Sequence, residues 1–313
     1  MDSLSRRASP AFGALGAPPA VVVESIVAKD GEIQYLHNLG EAGRWHATNK
    51  PFSDAECHEF LEDISAIFGL LPPPPGRLLD LGCGTGWTSS FFARRGYDVV
   101  GVDIAPDMIG VANRFRDQAG LSNLSFLESD YEHLDFREAF DIAVFFDALH
   151  HAVDEALALR RAFAALRPGG LCVTHEPGAG HGSTSVALEA VNKYDVTEKE
   201  MHPGKVIALG REAGFRQFYV FPVPRENRVM PYRLDHTSRV SGDRGGRRAG
   251  PGNPLEHAWW LKRLFHAFVR RRLGFKPIAY SAFLATLPQI HEACDRQDWE
   301  VLSRVGALVV LVK

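Results

Sequence analysis

From Arg77 onward, short apolar runs alternate with longer segments whose apolar residues recur at helical spacing. "RLLDLG", "DVVGVD", "LSFLESD", "FDIAVFFD" and "LCVTHEP" have the length and the β-branched and aromatic content of strands. Between them lie helical patterns with end signals. "WTSSFFARRG" stops at Gly96, "PDMIGVANRFRDQAG" starts on Pro106 and stops at Gly120, and "VDEALALRRAFAALRPGG" closes on Pro-Gly-Gly. Near-continuous apolar strands alternating with capped helices predict a doubly wound α/β fold, its sheet covered on both faces. "HPGKVIALGREAGF" reads as a further helix. "RQFYVFPV" and the terminal "GALVVLVK" read as strands that pair antiparallel at one edge. The expectation is a mostly parallel seven-stranded sheet with an antiparallel last strand. Upstream, "PFSDAECHEFLEDISAIFGLL" reads as a helix capped by Ser53 and stopped by "PPPPG".

These elements divide the chain into a disordered tail over 1–30, a helical lead-in over 31–76, a ligand-binding α/β domain over 77–222 plus 305–313, and an inserted helical cap over 223–304. The 313 residues are 45% hydrophobic and 23% charged, with a formal net charge of -3, which by itself selects no partner. The charge is unevenly spread. Residues 223–304 hold fifteen Lys/Arg against eight Asp/Glu, and the remainder holds 20 against 30. Within that basic segment Trp260, Leu261, Leu264, Phe265 and Phe268 share one helical face, with Lys262, Arg263, His266 and Arg270 towards the other. Such a helix can pack on the domain with a solvated basic face, close over an acceptor site, or touch an anionic membrane surface. No recognisable DNA- or RNA-binding module accompanies it, so nucleic acid is not the expected partner. The four cysteines are scattered, with no CxxC pair and no zinc-like His spacing. They suggest free thiols, a cytoplasmic location and no metal site. No run of about 18 apolar residues predicts a membrane span. Nothing in the sequence speaks to oligomeric state.

The chemistry begins at "LLDLGCGTGW". A strand feeding a helix N-terminus through glycines is a donor-rich site that a ligand can approach closely. The dinucleotide fingerprint is G-x-G-x-x-G. Here Gly82, Gly84 and Gly86 give G-x-G-x-G, and Trp87 stands where the third dinucleotide glycine belongs. Asp80, two residues before the first glycine, would repel a pyrophosphate and suit an ammonium. Asp103 ends the next strand near the roughly 20-residue offset of an acid on ribose hydroxyls.

This set resembles motif I and its companions in the class I S-adenosylmethionine (SAM)-dependent methyltransferases. The resemblance covers roughly 77–222 and the last strand. It implies that Gly82, Cys83, Gly84 and Gly86 pack against the methionine part of SAM, with Asp80 near its amino group. Asp103 and Ile104 would lie at the ribose. Asp130 would accept from the adenine amino group, with Tyr131 beside the ring. "FDIAVFFDALHH" resembles the strand facing the transferred methyl, and "LRPGGLCVTHEP" the element that follows it.

Methyl transfer from a sulfonium is an in-line displacement, in which alignment alone can supply about 7–11 kcal/mol. Aromatic residues favour a sulfonium, and Phe146 and Trp45 are the candidates. A hydroxyl acceptor would gain from a base at the carboxyl edge of the sheet. His151 is the first candidate and His181 the second, while His150 reads as a lining residue and His175 and Glu176 share that edge. The implied activity is methylation of a small molecule or glycan, anionic acceptors included, most simply at oxygen. The alternatives are N- or C-methylation, a SAM-binding protein without turnover, and an NAD-dependent dehydrogenase.

Overall fold

The computed structural model describes residues 29–223, 296–299 and 307–313. The expectations for the tail up to residue 28 and for nearly all of the inserted segment, Trp260 to Arg270 included, lie outside the described residues. In chain order the elements are α1 (Asp30–Asn38), α2 (Gly40–Thr48), α3 (Cys57–Leu70), β1 (Arg77–Leu81), α4 (Trp87–Arg95), β2 (Asp98–Asp103), α5 (Pro106–Ala119), β3 (Leu124–Glu128), β4 (Phe140–Phe146), α6 (Glu155–Ala165), β5 (Leu166–His175), α7 (Ser185–Tyr194), α8 (Pro203–Ala213), β6 (Gln217–Pro222) and β7 (Ala307–Val312).

The seven strands form one sheet in the order β3-β2-β1-β4-β5-β7-β6. The first five are mutually parallel. β7 runs antiparallel to both β5 and β6, so the expected antiparallel pair sits at one edge. Side chains alternate between two cores, as the two-residue period of a strand requires. Leu78, Ile142 and Val144 join Ile64 of α3 and Phe92 of α4 on one face. Leu79, Leu81, Ala143 and Phe145 join Leu159 of α6 and Val206 of α8 on the other. Burial on both faces is why these strands read as unbroken apolar runs.

Two local expectations are corrected. The helix expected from Ser53 begins at Cys57. Its N-cap, Glu56, makes no side-chain capping bond, and the Ser53 hydroxyl instead donates to His46 O at 2.9 Å. The Pro-Gly-Gly stop after α6 belongs to β5. α6 ends at Ala165, and the register between Phe140 and Ile142 slips across Leu166 to Leu171, absorbing Pro168, Gly169 and Gly170 in a bulge. By contrast, Pro106 at the start of α5 and left-handed Gly120 at its end stand where the pattern places them.

Candidate active site

The glycine loop leaves β1 and enters α4 along the carboxyl edge of the sheet. The amides of Gly82 and Cys83 both donate to Val102 O, at 2.8 and 2.9 Å, which ties the loop to β2. Gly86 has φ 80 and its missing Cβ would meet Phe126 at 2.5 Å, so close packing excludes any side chain there. At Gly84, with φ 54, an added Cβ would meet nothing within 4 Å. Gly84 is thus a half-buried saddle of the loop, strained for other residues and with free space where a side chain would stand.

Asp103 is fixed against that saddle. Its Oδ2 accepts from the Gly84 amide at 2.8 Å and its Oδ1 from the Ala105 amide at 2.9 Å. Each carboxylate oxygen keeps a further lone pair. Burial raises the pKa of Asp103, and the two amides oppose that rise. Ile104, beside it, is half-buried.

Asp80 lies beneath the loop and is 1% exposed. Both the Thr88 and Ser89 hydroxyls donate to its Oδ2, at 2.7 and 2.6 Å, which ties the acid to the first turn of α4. Burial pushes its pKa up to about 6, against the pull of those two hydroxyls. The sulfur of Cys83 is turned into the sheet, where a Cβ on Gly101 would meet it at 2.9 Å. The Cys83 side chain therefore fills space under the loop, and its main chain belongs to the loop's frame.

The structure gives Asp130 partners that the sequence did not suggest. Its Oδ1 caps the 131–133 turn by accepting from the Glu132 amide at 2.9 Å, and it also accepts from Lys29 Nζ at 2.8 Å. Its Oδ2 lies 2.8 Å from His133 Nδ1. Burial would raise the Asp130 pKa, but Lys29 outweighs it and the group is held below its usual value. Lys29 is itself 5% exposed and also bonds buried Glu132, whose carboxylate receives the Val153 and Asp154 amides at 2.9 and 3.0 Å. An adenine amino group at Asp130 would therefore share a carboxylate already engaged by a lysine. Tyr131 donates its hydroxyl to Ala148 O at 2.9 Å, and its ring flanks Gly82.

Phe146 does not line an open cleft. It is 7% exposed, stacks on His175 with centroids 4.5 Å apart, and meets the Trp87 edge at 5.2 Å. The reason is strand parity, since Phe146 follows Ile142 and Val144 into the core under α4. Trp45 on α2 is exposed.

The carboxyl ends of β4 and β5 carry most of the remaining chemistry. Asp147 takes a left-handed backbone, φ 48, immediately after β4. Such a conformation is costly for a non-glycine residue and is common at functional sites. His175 bridges it to α3, with Nδ1 3.0 Å from Asp147 and Nε2 3.1 Å from Asp63. Burial would lower the His175 pKa, but the two carboxylates raise it to about 10. Burial would raise the Asp147 pKa, but the imidazolium brings it down to about 2.

His150 is likewise buried between two acids. Its Nδ1 lies 2.8 Å from Glu176 Oε2 and its Nε2 3.4 Å from Glu198 Oε2. Burial acts to lower its pKa, and hydrogen bonds to Glu176 and Glu198 overcome it, raising the value to about 10. His151 is more open, and its Nδ1 donates to Thr197 O at 2.6 Å. That bond fixes the tautomer and leaves the His151 Nε2 lone pair free to accept a proton. His181 follows β5, with Nε2 2.7 Å from Glu198 Oε2. The structure thus brings His150, His151 and His181 into one cluster, with ring centroids 3.9 Å apart for the first pair and 5.3 Å for His150 and His181. Lys29, Glu132, Asp147 and Glu198 were not singled out in the sequence.

Residues 78–170, which span the loop and the first four strands, match the family model described as a methyltransferase domain. They form a methyltransferase domain of the class I, SAM-dependent type. The chain resembles the ubiquinone biosynthesis O-methyltransferase of Nitrobacter winogradskyi, at 36% identity over 121 residues, covering 38% of this chain and 44% of that one. It resembles the enzyme of the same name from Rhodopseudomonas palustris at 32% over 167 residues, covering 50% and 63%. The chain therefore spans about half the length of the curated relatives it matches. Among solved structures, Haemonchus contortus phosphoethanolamine N-methyltransferase 2 in complex with SAM aligns at 20% identity, with a TM-score of 0.49, over 80% of this chain and 52% of that one. Among the described residues no helix is long and apolar enough to cross a membrane.

The donor set of this methyltransferase domain fits SAM at its amino-acid and ribose ends. Gly84 offers an open backbone, Asp103 two oriented carboxylate oxygens, and Asp80 a buried negative charge beneath them. The pKa of Asp80 gives that fit a pH dependence. A cationic ligand favours the ionised acid, so protonation of Asp80 opposes binding. SAM affinity is expected to level off about a unit above pH 6 and to fall below pH 6 by up to about tenfold per unit. Titration calorimetry between pH 5 and 8 checks this, and a flat profile contradicts it.

Proposed function

We propose that the protein transfers the methyl group of SAM to a hydroxyl oxygen of a small-molecule acceptor. The observation that carries this reading is the Gly84–Asp103 pair, an open left-handed glycine whose amide aims a carboxylate at the ligand side of the loop. Oxygen as the acceptor is supported by the O-methyltransferases among the relatives and by the free Nε2 of His151 at the carboxyl edge of β4.

In this reading the glycine loop and Asp103 hold the amino-acid and ribose parts, and Asp80 balances the ammonium. SAM supplies a methyl on a sulfonium, an electrophile with a good leaving group. The chain contributes alignment, exclusion of water and a proton acceptor. As the acceptor oxygen forms its bond to carbon, its proton passes to His151 Nε2, and Nδ1 stays anchored on Thr197 O. The Thr197 amide is tethered in turn by Glu32 of α1 at 2.8 Å, so the lead-in helix helps to place the base. His181, its Nε2 held on Glu198, ranks behind His151 in that role.

Incubation with methyl-labelled SAM and fractionated cell extract tests the reading. A labelled small molecule released together with S-adenosylhomocysteine is expected. SAM binding with no label transferred in any fraction would reduce the protein to a binder, and NAD binding without SAM binding would overturn the cofactor. Asp103→Ala is expected to weaken SAM binding by roughly 10- to 100-fold, the worth of one or two charge-assisted hydrogen bonds. Unchanged affinity in that variant removes the observation on which the reading stands.

A further inference from the structure

The geometry points to a divalent transition-metal site formed by His150, His181 and Glu198. One donor atom from each of these three side chains lies within 4.8 Å of the other two. Glu198 Oε2 stands 2.7 Å from His181 Nε2 and 3.4 Å from His150 Nε2. Ligand atoms around an ion with bonds of about 2.0–2.2 Å stand roughly 3–3.5 Å apart, so small side-chain shifts admit one ion.

Four features distinguish the cluster from a chance meeting of polar groups. The ligands arrive from three separate segments: the turn after β4, the turn after β5 and the stretch between α7 and α8. Two imidazoles and one carboxylate are the protein donor set of sites that keep open positions for water or substrate. His150 also has the outer partner typical of a metal-bound histidine. Its Nδ1 bonds Glu176, and that carboxylate accepts in addition from the Leu149 and His150 amides at 2.9 and 3.1 Å, so both the ring orientation and its Nε2 direction are fixed. Burial grades outward, with side-chain exposure of 5% at His150, 11% at Glu198 and 25% at His181. The inner ligand is walled off, and the outer pair opens to where further ligands would enter. On loading, the ion takes the place of the protons that the imidazoles share with Glu198.

The nitrogen-rich donor set selects Zn2+, Co2+ or Fe2+ over Mg2+. The site is formed by side chains of this chain alone and does not depend on SAM binding or on methyl transfer. Sequence spacing could not show it, because the three positions are separated by 31 and 17 residues and share no motif.

The test uses the full chain, stripped with a chelator and titrated with Co2+ without SAM, followed by visible absorption and calorimetry. One Co2+ per chain is expected, with d–d bands of a nitrogen- and oxygen-ligated ion, displaced by Zn2+ and not by Mg2+. Glu198→Gln and His181→Ala should each weaken binding at least tenfold, while His58→Ala, an exposed histidine elsewhere, should leave it unchanged. Thermal unfolding of each variant shows whether it is folded. Glu198→Gln, nearly isosteric, carries the test should His181→Ala not fold. Absence of Co2+ binding by the parent chain overturns the proposal, as does binding that Glu198→Gln leaves within twofold.

Discussion

Replacing His151 by alanine is expected to lower the rate of methyl transfer by about 10²–10⁴-fold, the usual contribution of a positioned general base. SAM affinity should stay within twofold. The expectation follows from the tautomer. With Nδ1–H given to Thr197 O at 2.6 Å, the only lone pair on the ring is at Nε2. The anchor is stiff because Glu32 holds the Thr197 amide. Single-turnover rates at saturating SAM, compared with calorimetric affinity, separate loss of a base from loss of the cofactor site. Full turnover in His151→Ala would mean that the acceptor sheds its proton without help from this residue. A parallel loss of SAM affinity would instead make His151 a structural partner of α1.

The legibility of the fold and that of the site differ for a physical reason. The strands themselves, the antiparallel edge and the ends of α5 follow from local signals: apolar runs of strand length, Pro at a helix start and left-handed Gly at its stop. The loop was equally legible, since glycine spacing is a backbone requirement written into consecutive residues. Side-chain partners were less so. Asp130 stands two residues past β3, and the lysine that engages it lies 101 residues earlier, in what composition assigns to a tail. Phe146 was chosen for chemistry, whereas parity along β4 sends it to the core beside Ile142 and Val144. Glu198 sits in a polar stretch that no periodicity marks, and only the return of the chain towards α8 brings it to His150 and His181. Motifs on one element can be read in the sequence, but contacts between loops that converge on a sheet edge require the folded chain.

Glu176 shows how such a contact can hold a site together, and Glu176→Ala is expected to carry the largest stability cost. The side chain is 2% exposed. Its Oε1 accepts from the Ala148 and Leu149 amides at 3.3 and 2.9 Å, and its Oε2 from the His150 amide and Nδ1 at 3.1 and 2.8 Å. One carboxylate therefore closes the whole turn that follows β4. Truncation leaves buried amides without an acceptor and removes the carboxylate hydrogen-bonded to the buried His150 imidazolium, leaving it Glu198 and the more distant Asp147. Breaking a buried pair from one side costs about 3–5 kcal/mol, a large fraction of a total stability of roughly 5–15 kcal/mol. For a domain of this size that corresponds to a fall in Tm of about 6–20 °C. Glu176→Gln retains an oxygen for the backbone amides but no charge for His150, and should fall between the two. Because the same turn carries His150 and His151, Glu176→Gln should also slow methyl transfer more than it weakens SAM binding. Denaturant unfolding of the three proteins at pH 7 gives the order directly. A Glu176→Ala protein within 1 kcal/mol of the parent would show that water replaces the carboxylate at this turn and that the edge of β4 does not depend on it.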